Sequence, residues 1–317
     1  MKLPWDRRNW RIGLTVSLVA VALAAAGARS EAARVVHPPS AAALPQNSAG
    51  RMLAPNMLSP QAALALVQGE RDKYWLNAKD VTIRSVPELF AQRQDELEHG
   101  LRFSRILEGD PRKKEIALTF DDGPHPGYTP QLLAVLKRYN VKATFFVVGE
   151  QAEKNPELIR DEIAAGDSVG NHTYDHVSLV KIPQDYVSTE IKACGEVLDS
   201  ITDKTPHLFR PPGGVYDPRI AETAEALGYT TVLWTDDPGD YASPGTDVIL
   251  SRTLDKASPG GIILLHDGIQ QTIDVLPQII QTLRNRGYKF VTVDQMLAER
   301  AAARREVASV PAGKTVL

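Results

Sequence analysis

Carboxylates, imidazoles and a guanidinium gather at five places in the chain, each just past a run of apolar residues. They are Asp121-Asp122, His172 with His176, Arg210, Trp234 with Asp237, and His266. A carboxylate pair, two histidines four apart and a lone histidine are the parts of a metal-assisted hydrolase. They can supply ligands for one divalent ion, a general base and a general acid. If the segment Asn171-His172-Thr173-Tyr174-Asp175-His176 begins a helix, both rings share one face, with Cβ atoms about 5–6 Å apart. That spacing suits two imidazoles on one cation; two polar surface residues are the competing reading. Adjacent acids at a strand mouth repel each other unless a cation or an arginine offsets them. Along an extended chain Asp121 and Asp122 would point opposite ways, one toward a metal and the other toward a bound water. An acid pair capping a helix is the alternative there.

His266 follows Ile262-Ile263-Leu264-Leu265 and precedes Asp267-Gly268. Its ordinary pKa lies near working pH, so beside a metal it suits a proton donor, although a lone strand-end histidine also serves structure. Arg210 is permanently charged and forks donors toward a carboxylate. The Pro211-Pro212-Gly213-Gly214 that follows can turn a backbone N–H toward a substrate oxygen. Trp234 offers an apolar wall or simply core volume, and Asp237, Asp240 and Tyr241 follow it. Either acid could orient an imidazole.

Strands must carry these residues to one place. Ile116–Phe120, Ala143–Val148, the run ending at Asn171, Leu208-Phe209, 230–234, 261–265 and 288–293 read as short buried strands. Helices are expected near 130–139, 156–165, 188–201, 218–227, 247–257 and 274–286. Repeated β-then-α units imply a parallel sheet with helices outside. About seven strands favour an α/β barrel over an open sheet, and barrels gather their chemistry at the C-terminal strand ends. Cys194 is the only cysteine, so no intrachain disulfide forms. It sits on the helical stripe Ile191, Cys194, Leu198, Ile201 and reads as core.

The chain has 317 residues and a net charge of −3, which gives no sign of a nucleic-acid surface. Lys2, Arg7, Arg8 and Arg11 precede an apolar stretch from Ile12 to Ala28 that ends in Ala26-Gly27-Ala28. This pattern is a secretory signal peptide, or an uncleaved N-terminal membrane anchor; either one exports the remainder. Residues 29–57 read as a flexible spacer rich in Ala, Pro and Ser. Residues 58–112 read as a helical segment without an assigned role, including a short helix around Ala62–Val67 and an amphipathic one from Val86 to Leu101. The main domain is expected over 113–298, and 299–317 as a mobile tail.

Thr119-Phe120-Asp121-Asp122-Gly123, His172-Thr173-x-x-His176, Arg210-Pro211-Pro212-Gly213, Asp237-x-x-x-Tyr241 and Leu264-x-His266 together resemble the five ordered motifs of the polysaccharide deacetylases. These are the NodB-type enzymes of carbohydrate esterase family four. The resemblance covers residues 113–298. It implies a distorted (β/α) barrel, a divalent metal that is most often zinc (cobalt or another ion being alternatives), and removal of N-acetyl groups from a glucosamine-containing polymer. By the same resemblance Asp122, His172 and His176 hold the metal, Asp121 is the base, and Arg210 keeps Asp121 charged. His266 is the acid and Asp237 orients it. Leu264 and Trp234 line the acetyl pocket, and the Gly213 N–H steadies the oxyanion. The chain departs from the pattern at Gly213, where an aromatic is frequent, and at Tyr241, where tryptophan is usual and forms a wall of the sugar groove. Both positions bear on which polymer is bound.

Export narrows the expected substrate to peptidoglycan, a chitin-like oligomer or an exopolysaccharide. Three other readings compete: an O-acetyl esterase on a xylan-like polymer, an inactive carbohydrate-binding relative, and a chain whose residues 58–110 recruit a partner at the membrane.

Overall fold

The computed structural model describes residues 74–202 and 205–309. The expected signal or anchor, the spacer and the short helix around 62–67 lie outside them. The compact unit that holds the barrel begins at Ala78.

Its elements, in chain order, are α1 (Val86–Glu98), β1 (Arg105–Ile106), β2 (Glu115–Asp121), α2 (Thr129–Tyr139), β3 (Thr144–Val147), α3 (Gly149–Lys154), α4 (Pro156–Ala165) and β4 (Ser168–Asn171). There follow α5 (Gln184–Thr202), β5 (Leu208–Phe209), α6 (Pro218–Ala226), β6 (Thr230–Val232), α7 (Thr246–Lys256), β7 (Gly261–His266), α8 (Gln270–Asn285), β8 (Lys289–Phe290) and α9 (Val293–Ser309). These strands all pair in parallel, in the order β1-β6-β5-β4-β3-β2-β7. β8 pairs with the start of β2, below the point where β3 begins. The sheet curls into a distorted barrel. Thr235 and Asp236 donate to the Ile262 carbonyl, and Leu264 donates to that of Asp236, so the chain just past β6 meets β7. β1 fills the gap lower down, where Leu233 donates to Ile106 on one side and Gly109 to Gly260 on the other.

Strand parity decides what faces the site. Ile116, Leu118 and Phe120 of β2 pack in one core cluster with Leu132 and Leu136 of α2 and with Leu276, Ile279 and Ile280 of α8. Phe120 stacks on Phe145 with ring centroids 5.3 Å apart. Burying each such side chain contributes about 1.5–3 kcal/mol. The alternate residues, Thr119 and Asp121, therefore point away from that layer. On β7 the same alternation sends Ile263 and Leu265 to the cluster and leaves Leu264 and His266 for the other face.

Three expectations change. Residues 105–106 and 86–98 belong to the barrel's own compact unit, before the expected start at 113. Residues 299–309, expected in the tail, continue α9. Strand 288–293 shrinks to the two residues of β8. Cys194 is buried in the core, as its stripe implied.

Candidate active site

Asp121 ends β2 and is the register partner of His266 at the end of β7. Arg210 lies one residue past β5, fully buried. Thr119 and Asp121 share a face of β2, and Arg210 reaches both: Nη1 donates to Asp121 Oδ1 at 2.6 Å and to Thr119 Oγ1 at 2.8 Å. Its Nε donates to the Val232 carbonyl at 3.2 Å, and its guanidinium lies 4.1 Å from the Phe146 ring centroid. Burial pushes the Arg210 pKa down, and the Asp121 carboxylate opposes that shift.

Asp122, His172 and His176 bring one ligand atom each to within 4.8 Å of one another. Asp122 Oδ1 lies 3.4 Å from His172 Nε2 and 3.1 Å from His176 Nε2. Two ligands about 2.1 Å from one zinc ion at tetrahedral angles lie about 3.4 Å apart, so this spacing fits a divalent cation. Asp122 Oδ1 is buried and has no hydrogen-bond partner, which a cation would supply. His172 Nδ1 donates to the Arg210 carbonyl at 2.7 Å, and this fixes the tautomer that leaves Nε2 as the ligand atom. Burial raises the Asp122 pKa, but the imidazoles of His172 and His176 outweigh that and hold it well below the usual carboxylate range. For His176 burial works downward, while Asp122 raises the pKa above its ordinary value.

The local backbone differs from expectation. No helix begins at His172; the segment is a loop in which Thr173 and His176 have φ of 68° and 52°. Asp122 is also left-handed, with φ 74°. Asp121 and Asp122 consequently do not diverge as on an extended strand. Asp121 Oδ2 lies 3.6 Å from the same His172 Nε2 that Asp122 approaches. The loop is held by side chains: Asn171 Oδ1 accepts from Thr173 N at 2.8 Å, and Glu190 Oε2 accepts from Tyr174 N and Asp175 N at 3.1 and 2.9 Å.

The acid beside His266 is Asp240, and not Asp237. Asp240 Oδ1 lies 2.7 Å from His266 Nδ1, and its Oδ2 accepts from His266 N and from Thr272 Oγ1. Asp237 instead caps the following turn, accepting from Gly239 N at 2.8 Å. Asp240 begins a helical turn (Asp240–Ala242) that swings it back to β7. Both acids are visible in the sequence, but no local pattern there marks this turn. Burial pushes the His266 pKa down, but the Asp240 carboxylate more than reverses this, and the result is about 9. Thr119, Asn171 and Glu190 were not foreseen as supports of the site; only the position of Asn171 directly before His172 hinted at such a role.

The remaining expected residues surround this centre. Tyr241 is 45 % exposed, and its ring meets His266 edge-on at 5.4 Å. Trp234 and Leu264 are buried; the Trp234 ring packs near the Arg210 guanidinium and against Gly214. Gly213 has φ 64°, in the turn after Pro212.

The family model for polysaccharide deacetylase matches residues 108–232. A peptidoglycan-N-acetylglucosamine deacetylase of Bacillus cereus is 40% identical over 190 residues, which are 58% of this chain and 89% of the relative. A solved peptidoglycan N-acetylglucosamine deacetylase superposes with a TM-score of 0.60 at 36% identity, covering 61% of this chain and 92% of that one. A family-four pseudoenzyme from Bacillus anthracis superposes equally, with a TM-score of 0.60 at 30% identity, covering 63% and 70%. With the barrel, the Asp-His-His cluster and these likenesses in agreement, the chain belongs to the polysaccharide deacetylase family.

Proposed function

We propose that the protein removes N-acetyl groups from N-acetylglucosamine units of an extracytoplasmic polysaccharide, with peptidoglycan favoured, and releases acetate. The observation that carries this reading is the convergence of Asp122, His172 and His176 beside an Arg210-held Asp121. The similarity to peptidoglycan deacetylases supports the choice of polymer. The basic flank and apolar stretch at 12–28 support export, with attachment to the membrane if that stretch is retained. Among the described residues no helix is long and apolar enough to cross a membrane.

Asp122, His172 and His176 would hold the ion, for which zinc fits the mixed nitrogen and oxygen donors. When bound, such an ion polarises the acetyl carbonyl and makes water more acidic. Asp121 takes the proton from the attacking water, and Arg210 holds that carboxylate in position. The Gly213 N–H donates to the oxyanion, an interaction commonly worth about 3 kcal/mol. His266, kept protonated at neutral pH by Asp240, gives its proton to the departing amine nitrogen. Leu264, two residues before His266 on the same strand face, would line the acetyl pocket.

The test is acetate release from N-acetylated chitooligosaccharides, peptidoglycan and acetylated xylan, measured side by side. Release from xylan alone would make the protein an O-acetyl esterase. Asp121→Asn is expected to retain metal and lose turnover by about 10²-fold or more. Asp122→Ala is expected to lose the metal itself, read by elemental analysis. A fully active Asp121→Asn variant would remove Asp121 from the role of base.

A further inference from the structure

A short segment ahead of the motifs, residues 78–85, crosses the rim of the site. Ser178 N, two residues past His176, donates to the Ala78 carbonyl at 2.8 Å. Lys181 Nζ donates to the Asp80 carbonyl at 2.6 Å. At the far end Arg84 N donates to the Gly213 carbonyl at 2.9 Å, three residues past Arg210. The segment is thus a strap tied to the loops that follow β4 and β5, the two loops that carry His176 and the Arg210 turn.

The strap also explains the glycine beneath it. A Cβ at position 213 would collide with the Thr82 carbonyl oxygen and lie 2.8 Å from Val81 Cγ1. Strap and side chain cannot occupy that space together. Lys79, Asp80 and Thr82 are exposed, while Val81 and Ile83 are half-buried. Lys79, Asp80 and Thr82 thus offer ammonium, carboxylate and hydroxyl groups to solvent along the strap, while Val81 packs over Gly213.

We propose that this strap is a sugar-binding wall that holds a polysaccharide unit beyond the immediate neighbour of the one being deacetylated. The inference rests on the deacetylase reading above. A pyranose presents hydroxyl groups around its edge, which match the exposed ammonium, carboxylate and hydroxyl groups of Lys79, Asp80 and Thr82. A wall at the rim acts on chains long enough to reach it and leaves short substrates unaffected.

The test compares Thr82→Trp and Thr82→Ala with the unaltered full chain, using acetate release from the dimer and the hexamer of N-acetylglucosamine. Thr82→Trp is expected to raise KM for the hexamer about tenfold, equivalent to about 1.4 kcal/mol. Thr82→Ala is expected to raise it about two- to tenfold, the effect of one net hydrogen bond. For both variants the dimer's kcat/KM and the thermal midpoint stay unchanged. Equal effects on dimer and hexamer, or none on either, would overturn the proposal while leaving the deacetylase reading intact. Failure of the unaltered chain to release acetate from either oligomer would instead remove the deacetylase reading, and this proposal with it.

Discussion

A histidine enclosed by protein normally loses its proton, because burial disfavours the charged form. His266 keeps its proton because Asp240 accepts from its ring and its backbone together. Its pKa of about 9 makes it an acid throughout the neutral range. Asp240→Asn removes the largest upward influence and leaves the burial, so the His266 pKa should fall, with only the charges of Asp122 and Asp121 still raising it. NMR titration of the ring in chelator-treated protein checks this, and a pKa still near 9 would count against Asp240. Loss of the protonated acid should lower kcat about 10²–10⁴-fold near neutral pH. The same shift has a consequence for stability. Since the folded pKa exceeds the unfolded one, the stabilisation is complete below about 6.5 and is lost as pH rises through about 9. The fall in thermal midpoint over that window should be smaller in His266→Gln than in the unaltered chain.

At the scale of the element, the metal cluster depends on a loop, not a helix. The four-residue histidine spacing was legible in the sequence, and its association with Asp122 came from the family resemblance. The helix offered to explain it was not, because left-handed φ at Thr173 and His176 accompanies hydrogen bonds that a local pattern cannot show. Glu190 on α5 supplies two of them, and Asn171 at the end of β4 supplies another. Strand ends with apolar runs behind them could be read from local pattern; the side chains that bend a loop into place could not. Glu190→Gln keeps the shape but weakens the acceptor for Tyr174 and Asp175. It should reduce metal affinity about 10–100-fold while the far-ultraviolet circular dichroism stays unchanged. Unaltered affinity in a metal competition assay would show that the loop holds its form without Glu190.

On the scale of the whole molecule, the barrel is completed by residues that carry no motif. β1 is only Arg105–Ile106, yet it lies in the gap between β6 and the approach to β7. So short a strand has little pairing of its own and must be anchored by its side chains. Ile106 is buried, and the Arg105 guanidinium donates to Glu96 of α1 and, at 2.5 Å, to Tyr216 Oη. Gln92 of α1 joins this network, donating to Glu96 and to the Tyr216 carbonyl while accepting from Arg84 of the strap. One buried ion pair thus links α1 and β1, Gln92 extends the network to the strap, and the pair's partners stand nine residues apart in a fold that periodicity alone does not reveal. Removing one partner strands the other charge in a buried place. Glu96→Ala should therefore cost about 3–5 kcal/mol of unfolding free energy, measured by urea denaturation. Glu96→Gln keeps an acceptor for Arg105 and should cost less. If both variants unfolded at the urea midpoint of the unaltered chain, β1 would be held by its backbone pairing and Ile106 alone, without the ion pair.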